Sequence, residues 1–474
     1  MQEDQFRPGS APASTRRDFI RNSSLAATLG SAAVASAESQ AVKPGVTARS
    51  ASRVIGANDR INVSLIGVGS IGTAHLRTLM PQVEEDKDIQ MVAVSEIYTQ
   101  RKERARTITK LGEKDIHHNY GDMLARNDVD VVMIATPDHW HGRMALDALA
   151  AGKDVYLQKP MTYTVEEARQ IAAAAKKFNR IVQVGVQGTS DPRYKIAKEA
   201  IDAGEVGELL MAQANSARNS LLGEWNWSVE PEGTPQTIDW KRFLGPAPQR
   251  AFSPDRYFRW RKYWDYSGGI ATDLFYHSLS PLVKVMGPQF PTRVSASGGI
   301  YVHKDREVPD TYATLIEYPS FCIDLSGSMA NSAIGRHHST VIYGHKGTIT
   351  FDRGQVVVTP EIFPELRRRN QKPPQAKLIP VPAPKKWAVD IGSCRIHTEN
   401  FFACVRSRQA PNLDAETGYM VMTAIRLGVD AYREGKPKLF DAKLQKVVDK
   451  LPARQMYEGD GKNHTIDELK NLPT

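Results

Sequence analysis

The hexapeptide Gly67–Gly72, with the sequence GVGSIG, is the feature that most constrains how this chain folds. It follows an apolar stretch, Ile61–Ile66, that has the pattern of a buried strand, and Thr73–Met80 reads as a helix. In a strand-turn-helix of this kind, the three glycines allow a tight turn, close approach of the backbone to a pyrophosphate, and close packing of the helix on the strand. The helix N-terminus adds free N–H groups and the positive end of its dipole. The stretch therefore predicts a dinucleotide-binding site at the start of a doubly wound α/β domain.

A second strand is predicted at Ile89–Val94 and leads into Glu96, which lies 24 residues after Gly72. A carboxylate at about this distance accepts hydrogen bonds from the ribose hydroxyls of a bound dinucleotide. Strands and helices then alternate, and Val129–Ile134 is a continuous apolar run, as a parallel sheet buried on both faces requires. We therefore predict an N-terminal Rossmann domain with a doubly wound parallel sheet over residues 60–186.

Residues at the carboxyl ends of the strands are the candidates for cofactor contact, because ligands of such sheets bind beyond those ends. Glu96 favours NAD, since its charge repels a 2′-phosphate, whereas Arg101 and Lys102 are close enough in sequence to accommodate one. NAD and NADP therefore both remain open as cofactors. The predicted cofactor-binding residues are Gly67, Gly69, Ser70, Ile71, Gly72, Glu96, Arg101, Thr136, Pro137, Asp138, His141, Gln158, Lys159 and Gln187.

The pattern changes after residue 186, and residues 187–441 predict a second α/β domain with an open, mainly antiparallel sheet and helices on one face. Residues 222–265 form a long stretch rich in aromatic side chains, without regular periodicity. Aromatic faces suit the apolar faces of sugar rings, although rings of this kind also serve simply to pack a loop. Residues 442–474 are predicted as a C-terminal tail.

Three side chains predict the chemistry. Lys159 follows a predicted strand, while Asp273 and His277 are four residues apart on a predicted helix and so share one helix face. Hydride transfer from a carbinol needs a base for the hydroxyl proton and a cation for the developing alkoxide. His277 suits the base, with Asp273 orienting it and raising its pKa; the alternative is that this pair is ordinary helix electrostatics. The predicted catalytic residues are Lys159, Asp273 and His277, and the predicted substrate contacts are Lys159, Arg261, Trp264, Tyr266, Asp273 and His277.

A metal site is not predicted, because the sequence places no third ligand near His139 and His141. The formal net charge of +9 is spread along the chain without interleaved aromatic residues, so solvated faces are favoured over nucleic-acid binding.

The N-terminus has the three parts of a twin-arginine export signal, predicted over residues 1–37. Arg16 and Arg17 precede a mildly apolar stretch, which ends at the small-residue cleavage site Ala35-Ser36-Ala37. Residues 38–59 then form a linker. We expect an exported, periplasmic protein without stable membrane insertion. The three cysteines cannot make a full disulfide framework, which suits a protein folded in the cytoplasm before export.

At this point the chain resembles the Gfo/Idh/MocA oxidoreductase family over about residues 60–441. The resemblance depends on the glycine hexapeptide, on Ala135-Thr136-Pro137 with His141, on Gln158-Lys159-Pro160, on Gly268-Gly269 with Asp273 and His277, and on His397 to Pro411. It implies a Rossmann domain joined to an open-sheet domain, NAD or NADP, a sugar or cyclitol substrate, and a homo-oligomer such as a dimer or tetramer. It also places the catalytic lysine at Lys159 and the Asp/His pair at Asp273 and His277.

Two positions depart from the family pattern. Gln158 stands where the family usually has Glu, and Ser280 stands where it often has a second Asp, three residues after the histidine. Asp273 is therefore expected to orient the base alone.

These features predict an exported NAD(P)-dependent oxidoreductase that acts on a hydroxyl of a sugar, glycoside or cyclitol. Because soluble cofactor is scarce outside the inner membrane, the cofactor is expected to be tightly bound and recycled on a second carbonyl compound, as in the glucose–fructose oxidoreductase-like branch of the family. One alternative is an NAD-dependent glycoside hydrolase that works by oxidation and elimination. A second is a non-catalytic sugar-binding protein. The expected partners are the carbohydrate and the twin-arginine export machinery.

Overall fold

The computed structural model describes residues 60–333, 340–352, 354–364, 375–382 and 392–450. The predicted export signal, the linker and residues 451–474 lie outside the described part of the chain. Among the described helices, none combines the length and the apolar character that crossing a membrane requires.

The N-terminal domain is a six-stranded parallel sheet with the strand order β3-β2-β1-β4-β5-β6. This order reverses between β1 and β4, which is the switch point at which doubly wound sheets bind nucleotides. The prediction of a Rossmann sheet is confirmed. Its strands are β1 (Ile61–Ile66), β2 (Ile89–Ser95), β3 (Ile116–His117), β4 (Val131–Ile134), β5 (Asp154–Gln158) and β6 (Val182–Gly185).

Helices cover both faces of this sheet. The first turn of the helix Val165–Lys177 carries a capping box, in which Thr164 and Glu167 each bond the backbone N–H of the other residue. The helix Asp138–Ala150 begins directly after Pro137, whose φ of −63° is compatible with a helix entry, and Asp138 places a carboxylate in its first turn. The helices are α1 (Ser70–Asp86), α2 (Thr99–Thr109), α3 (Tyr120–Leu124), α4 (Asp138–Ala150) and α5 (Val165–Lys177).

The second domain contains a ten-stranded sheet in the order β14-β13-β12-β11-β7-β10-β9-β8-β15-β16. Only β7 and β10 pair in parallel among these strands, so the sheet is mainly antiparallel, as predicted. The strands are β7 (Leu209–Ala217), β8 (Arg293–Gly299), β9 (Thr311–Glu317), β10 (Cys322–Ser328), β11 (Val341–Gly344), β12 (Gly347–Asp352), β13 (Gln355–Pro360), β14 (Lys377–Pro380), β15 (Lys438–Asp441) and β16 (Lys446–Val448).

The predicted boundary at residue 441 falls between two paired strands. Strand β16 lies in the predicted tail and pairs with β15, so the sheet continues beyond that boundary. The helices of this domain are α6 (Pro192–Asp202), α7 (Trp240–Leu244), α8 (Pro254–Phe258), α9 (Tyr276–Met286), α10 (Gly392–Ser407) and α11 (Ala415–Glu434).

Two parts of the second domain pack onto the first. Helix α10 places Phe401, Phe402 and Val405 in one apolar core with strand residues of the Rossmann sheet. Residues 222–266, here called the aromatic segment, pack with Tyr98 of the β2–α2 loop in a separate core. The cleft between the domains is therefore bounded by packed side chains on two sides.

Candidate active site

A cavity of about 360 Å³ lies beyond the carboxyl ends of β1, β2 and β4. This volume falls within the usual range for ligand pockets. The Rossmann domain supplies one wall, and the aromatic segment supplies the opposite wall through Trp227, Arg242, Phe243, Tyr257, Phe258, Trp260 and Arg261. Eight predicted cofactor-binding residues line this cavity: Gly67, Gly69, Ser70, Ile71, Glu96, Arg101, Thr136 and Pro137.

The glycine turn fits a dinucleotide phosphate. Gly67 has a φ of +89°, and a Cβ atom there would lie 2.8 Å from the carbonyl oxygen of Ala135. A Cβ on Gly72 would lie 2.0 Å from the carbonyl oxygen of Gly67, so the absence of a side chain at Gly72 allows the helix to pack closely on the turn. Gly72 does not line the cavity. Helix α1 begins with no side-chain cap and no acidic residue in its first turn. Its N–H groups are thus available to an anion.

Glu96 is buried at the end of β2, and its carboxylate already accepts three backbone hydrogen bonds. Oε1 accepts from the N–H groups of Ile97 (2.7 Å) and Tyr98 (2.9 Å), and Oε2 accepts from Val68 (2.6 Å). Each carboxylate oxygen offers about two acceptor sites, so Oε2 keeps one for a ribose hydroxyl. Glu96 thereby holds the glycine turn against β2 while still facing the cavity.

Arg101 lies beside the glycine turn, with its guanidinium 3.7 Å from the place that a Cβ on Gly69 would take. The rings of Tyr98, Tyr257 and Phe258 surround it, with centroids 5.1 to 5.5 Å from the guanidinium carbon. A cation held in this way suits a phosphate in the cavity. Lys102 contacts the imidazole of His118 (2.8 Å), which lines the cavity, but Lys102 is not itself among the lining residues.

Lys159 and Asp273 join the two domains at the end of β5. The ammonium of Lys159 donates to Oδ1 of Asp273 (2.8 Å) and to its backbone carbonyl (2.7 Å). Arg261 also donates to Oδ1 (2.9 Å), and the indole of Trp225 donates to Oδ2 (3.0 Å). Burial alone would raise the pKa of Asp273, but the charges of Lys159 and Arg261 hold it well below its usual range. Asp273 is therefore an ionised centre that accepts hydrogen bonds from three side chains.

The backbone around this centre is irregular. Residues Ala271–Phe275 form a single π-helical turn before α9, and such turns often occur at functional sites. Trp225 has a φ of +66°, which is rare for a bulky residue, and its indole is buried against Asp273. The contact between Trp225 and Asp273 thus coincides with local backbone strain.

His277 lies next to this ion pair and lines a second cavity of about 460 Å³. Burial, and then the charge of Lys159, lower the pKa of His277 to about 3, although Asp273 acts in the opposite direction. The charge of Asp273 thus acts on the pKa of His277 in the predicted direction, but burial and the charge of Lys159 outweigh it. The carboxylate oxygens of Asp273 accept from Lys159, Arg261 and Trp225, while the Ser280 hydroxyl donates to the Tyr276 carbonyl within its own helix.

Asp138 is a second buried carboxyl group near this centre. Its Oδ2 accepts from the hydroxyl of Thr272 (3.1 Å), the neighbour of Asp273. Burial raises the pKa of Asp138 to about 7, although Arg261 and Lys159 favour its charged form. Asp138 does not line the first cavity, so its predicted contact with cofactor is replaced by a link between α4 and the π-helical turn.

Three more predicted cofactor contacts hold strand ends in place and do not line the cavity. His141 is buried between the carbonyl oxygens of Pro160 (2.6 Å) and Thr136 (2.8 Å), and so ties the end of β5 to that of β4. Gln158 is buried against the imidazole of His75 (2.5 Å). Gln187 lies in a short 3₁₀-helix, Gln187–Ser190, that packs against α10. Lys159 likewise meets Asp273 outside the wall of the first cavity.

The predicted substrate contacts separate into two groups. Arg261 lines the first cavity and His277 lines the second. Tyr266 is fully buried in the core of the aromatic segment, and Trp264 packs toward α11 beside Tyr432 and Arg433. Tyr266 and Trp264 therefore line neither of these two cavities, and their contact with substrate stays a prediction.

Sequence analysis missed several residues of the site. Trp225 donates a hydrogen bond to Asp273, and Thr272 donates one to Asp138. Arg218 lines the second cavity together with His277. The density of aromatic residues in 222–265 was the available signal for Trp225, but spacing alone does not show which rings turn toward Asp273. No group of three or more His, Cys, Asp or Glu residues in the described ranges is arranged to hold a metal ion.

The fold and the first cavity define a two-domain protein with a dinucleotide-binding sheet. Two family models match the chain: the NAD-binding Rossmann fold of an oxidoreductase family over residues 61–186, and the C-terminal alpha/beta domain of the same family over residues 233–439. The matched ranges cover more than half of the chain. The chain therefore belongs to the Gfo/Idh/MocA oxidoreductase family.

Several known proteins are similar to this chain. Inositol 2-dehydrogenase from Salmonella typhimurium strain LT2 is 32% identical over 179 residues, which cover 38% of this chain and 50% of the relative. The chain thus spans about half the length of the curated relatives it matches. A levoglucosan dehydrogenase in complex with NADH superposes with a TM-score of 0.61 at 19% identity, covering 80% of this chain and 98% of that one. An aldose-aldose oxidoreductase from Caulobacter crescentus, complexed with glycerol, gives a TM-score of 0.59 at 18% identity, covering 80% and 100%.

The buried Asp138 makes a prediction about pH. Its pKa of about 7 in the folded protein lies above the ordinary value of 3.8, so wild-type stability is lost as pH rises from about 4 to about 7. Asp138→Asn removes this titration and keeps an acceptor for Thr272. We expect the variant to gain about 3 kcal/mol relative to wild type between pH 5 and pH 8, since about two pH units lie below the folded pKa and each corresponds to about 1.4 kcal/mol. Urea unfolding at both pH values measures the gain.

The control for this measurement is Asp202→Asn, which changes an exposed carboxyl group on α6 that pairs with Lys198. Its difference from wild type should be the same at pH 5 and pH 8. An equally constant difference for Asp138→Asn would contradict the prediction.

Proposed function

We propose that the protein is an NAD(P)-dependent oxidoreductase that converts a hydroxyl of a sugar, glycoside or cyclitol to a carbonyl group. The observation that carries this proposal is the Lys159–Asp273 ion pair, which lies between the nucleotide-binding sheet and the helix that bears His277. The named activity of the relatives, inositol 2-dehydrogenase, supports a cyclitol or sugar hydroxyl as the reacting group. NAD⁺ or NADP⁺, when bound, accepts a hydride from the carbinol carbon.

The chain's own residues then handle the hydroxyl proton. His277 is unprotonated near neutral pH, because its pKa is about 3, so it is available as a proton acceptor. The same low pKa makes it a weak base, and the hydroxyl must therefore become more acidic before it loses its proton. Lys159, as an ammonium that donates to the substrate oxygen, lowers the pKa of that hydroxyl and stabilises the alkoxide as it forms. Asp273 keeps Lys159 in place.

Loss of either group is expected to remove most of the turnover. Lys159→Met eliminates the cation at the developing alkoxide, and His277→Ala eliminates the base. Each change should lower kcat by about 10² to 10⁴, the range for general acid–base and oxyanion groups. The measurement is nicotinamide absorbance over a panel of sugars and cyclitols. The matched control is Lys176→Met, which breaks the exposed ion pair with Glu416, between α5 and α11, far from the cavities in the fold.

Wild-type turnover in Lys159→Met or His277→Ala would disprove these roles. Release of the aglycone from a chromogenic glycoside without added cofactor would instead support the NAD-dependent glycoside hydrolase. Carbohydrate binding without either reaction would support a sugar-binding protein.

We also propose that the cofactor is held tightly. The aromatic segment makes a backbone bridge to the β2–α2 loop, in which Thr99 N–H donates to Thr237 (3.0 Å) and Asp239 N–H donates to Ile97 (3.3 Å). Two side chains of α4 contact the carbonyl oxygen of Phe243. The imidazole Nε2 of His139 and the indole Nε1 of Trp140 each lie 2.9 Å from it. A dinucleotide in the first cavity would be enclosed between the glycine turn and this segment. Release would then require these contacts to open.

Retention of the cofactor can be measured directly. After long dialysis and denaturation, mass spectrometry should find near-stoichiometric NAD or NADP in the wild-type protein. Asp239→Ala removes the contact with His118 (2.8 Å) and the cap of α7, and is expected to speed nucleotide release about tenfold, as the loss of a charged hydrogen bond predicts. The control is Asp191→Ala, which removes the N-cap of α6 and the ion pair with Arg193. The control should release nucleotide at the wild-type rate.

Complete loss of nucleotide from the wild-type protein on dialysis would contradict tight retention. Equal release rates for Asp239→Ala, Asp191→Ala and wild type would show that the aromatic segment does not control release.

We further propose that the folded protein is exported to the periplasm by the twin-arginine route, with its cofactor already bound. The Arg16-Arg17 pair and the Ala35-Ser36-Ala37 site support this proposal. Replacement of both arginines by lysine is expected to leave the chain in the cytoplasm of a bacterial host, as cell fractionation would show. The control is Arg21→Lys, in the same stretch. Periplasmic accumulation of the double variant at the wild-type level would contradict this route.

A further inference from the structure

The second cavity lies where a substrate of the proposed reaction would be bound. It lies beside the end of β7 and is lined by His277, the proposed base, and by Leu274 from the same helical stretch. Its remaining described lining residues are Asn215, Ser216, Ala217, Arg218 and Ser332. The inference below therefore rests on the proposed function, because it concerns the molecule that His277 would deprotonate.

The described wall of this cavity carries positive charge and no negative charge. Arg218 brings a full positive charge to the wall, and the described lining residues include no carboxylate. Within the described ranges, Arg218 pairs with the carboxylate of Glu224, at 3.7 Å, and the Arg218 side chain remains 50% exposed. This long contact leaves donors of the Arg218 guanidinium open to another acceptor.

The surrounding charges do not offset this excess. Asp273 is the nearest carboxylate to His277 along the helix, but Lys159 and Arg261 both pair with it. Burial disfavours protonation of His277 most, and the charges of Lys159, Arg218 and Arg261 act in the same direction, whereas the charge of Asp273 favours it. Without an added anion, His277 is thus a poor base in a positive field.

We propose that the substrate is a carbohydrate acid, such as a uronic acid, whose carboxylate pairs with Arg218 while one of its hydroxyls faces His277 and Lys159. A guanidinium and a carboxylate match each other through two parallel hydrogen bonds, which would fix the orientation of the sugar ring. A single arginine beside Glu224 suits one negative charge better than the two charges of a phosphate monoester.

The same pairing would assist the reaction. A carboxylate in the second cavity brings negative charge near His277 and so favours its protonated form, which makes the imidazole a stronger proton acceptor. Substrate charge would then raise kcat as well as lower KM. A neutral sugar of the same shape would leave His277 as weak a base as it is in the free protein.

The test compares matched sugars that differ only in the oxidation state of C6. Initial rates are measured for D-glucose against D-glucuronate, D-galactose against D-galacturonate, and D-mannose against D-mannuronate, with saturating NAD⁺ and then NADP⁺. We expect kcat/KM to be about 10- to 100-fold higher for at least one uronate than for its hexose, the gain that a charged hydrogen-bonded pair supplies. This preference should shrink in 0.5 M salt.

Arg218→Gln should reduce the uronate-to-hexose ratio of kcat/KM by about the same factor, and Arg218→Lys should restore part of it. The control is Arg169→Gln, whose arginine has a similar exposure and pairs with Glu166 on α5. It should leave the ratio at the wild-type value. Glucose 6-phosphate is included to separate carboxylate from phosphate recognition.

Three outcomes would overturn the inference: equal kcat/KM for all three pairs, a preference for glucose 6-phosphate over every uronate, or a uronate preference that persists in Arg218→Gln. If the protein oxidises no sugar at all, the proposed function fails instead. Calorimetric titration of the same pairs into the NADH-bound protein then decides the inference separately, since tighter binding of a uronate must still depend on Arg218. Absence of uronate binding in that titration would also overturn it.

Discussion

The buried ion pair between Lys159 and Asp273 is the interaction on which the site depends, because it joins the end of β5 to the π-helical turn of the other domain. Two charges removed from water lose several kcal/mol of solvation each, and one ion pair seldom recovers that loss. Here Arg261 and Trp225 add two more donors, so both carboxylate oxygens of Asp273 have side-chain partners. Removal of Lys159 would therefore leave a buried carboxylate with fewer partners as well as an incomplete site.

The arrangement of the two domains follows from the same need to exclude water. Helix α10 closes one side of the interface with Phe401 and Phe402, and the aromatic segment closes another over the glycine turn. A hydride donor and acceptor are protected from water only if the cofactor is enclosed, and a charged pair is strong only where water is scarce. Closure of the cleft between the domains and strength of the Lys159–Asp273 pair are thus two results of one packing arrangement.

The sequence predicted the fold well because its signals were local. The glycine hexapeptide, the apolar runs and the caps lie within single elements, and the structure confirms the sheet types and most element positions. It predicted the positions of strand ends, but not the direction in which each side chain points. His141, Gln187 and Tyr266 were therefore assigned to ligand contact, whereas packing turns them toward other strand ends, helices or rings. Direction is decided by contacts between distant segments, which spacing along the chain does not contain.

The pKa of His277 shows why a residue pattern alone was insufficient for the chemistry. A histidine four residues after an aspartate predicts a charged pair with a raised pKa. In the folded protein, burial and the charges of Lys159 and Arg261 together outweigh the charge of Asp273, so the pKa of His277 falls to about 3. The imidazole of His277 is consequently unprotonated near neutral pH, and its basicity depends on charge supplied from outside the pair. A substrate carboxylate beside Arg218 would supply that charge in the bound state alone, which couples recognition of the substrate to its deprotonation.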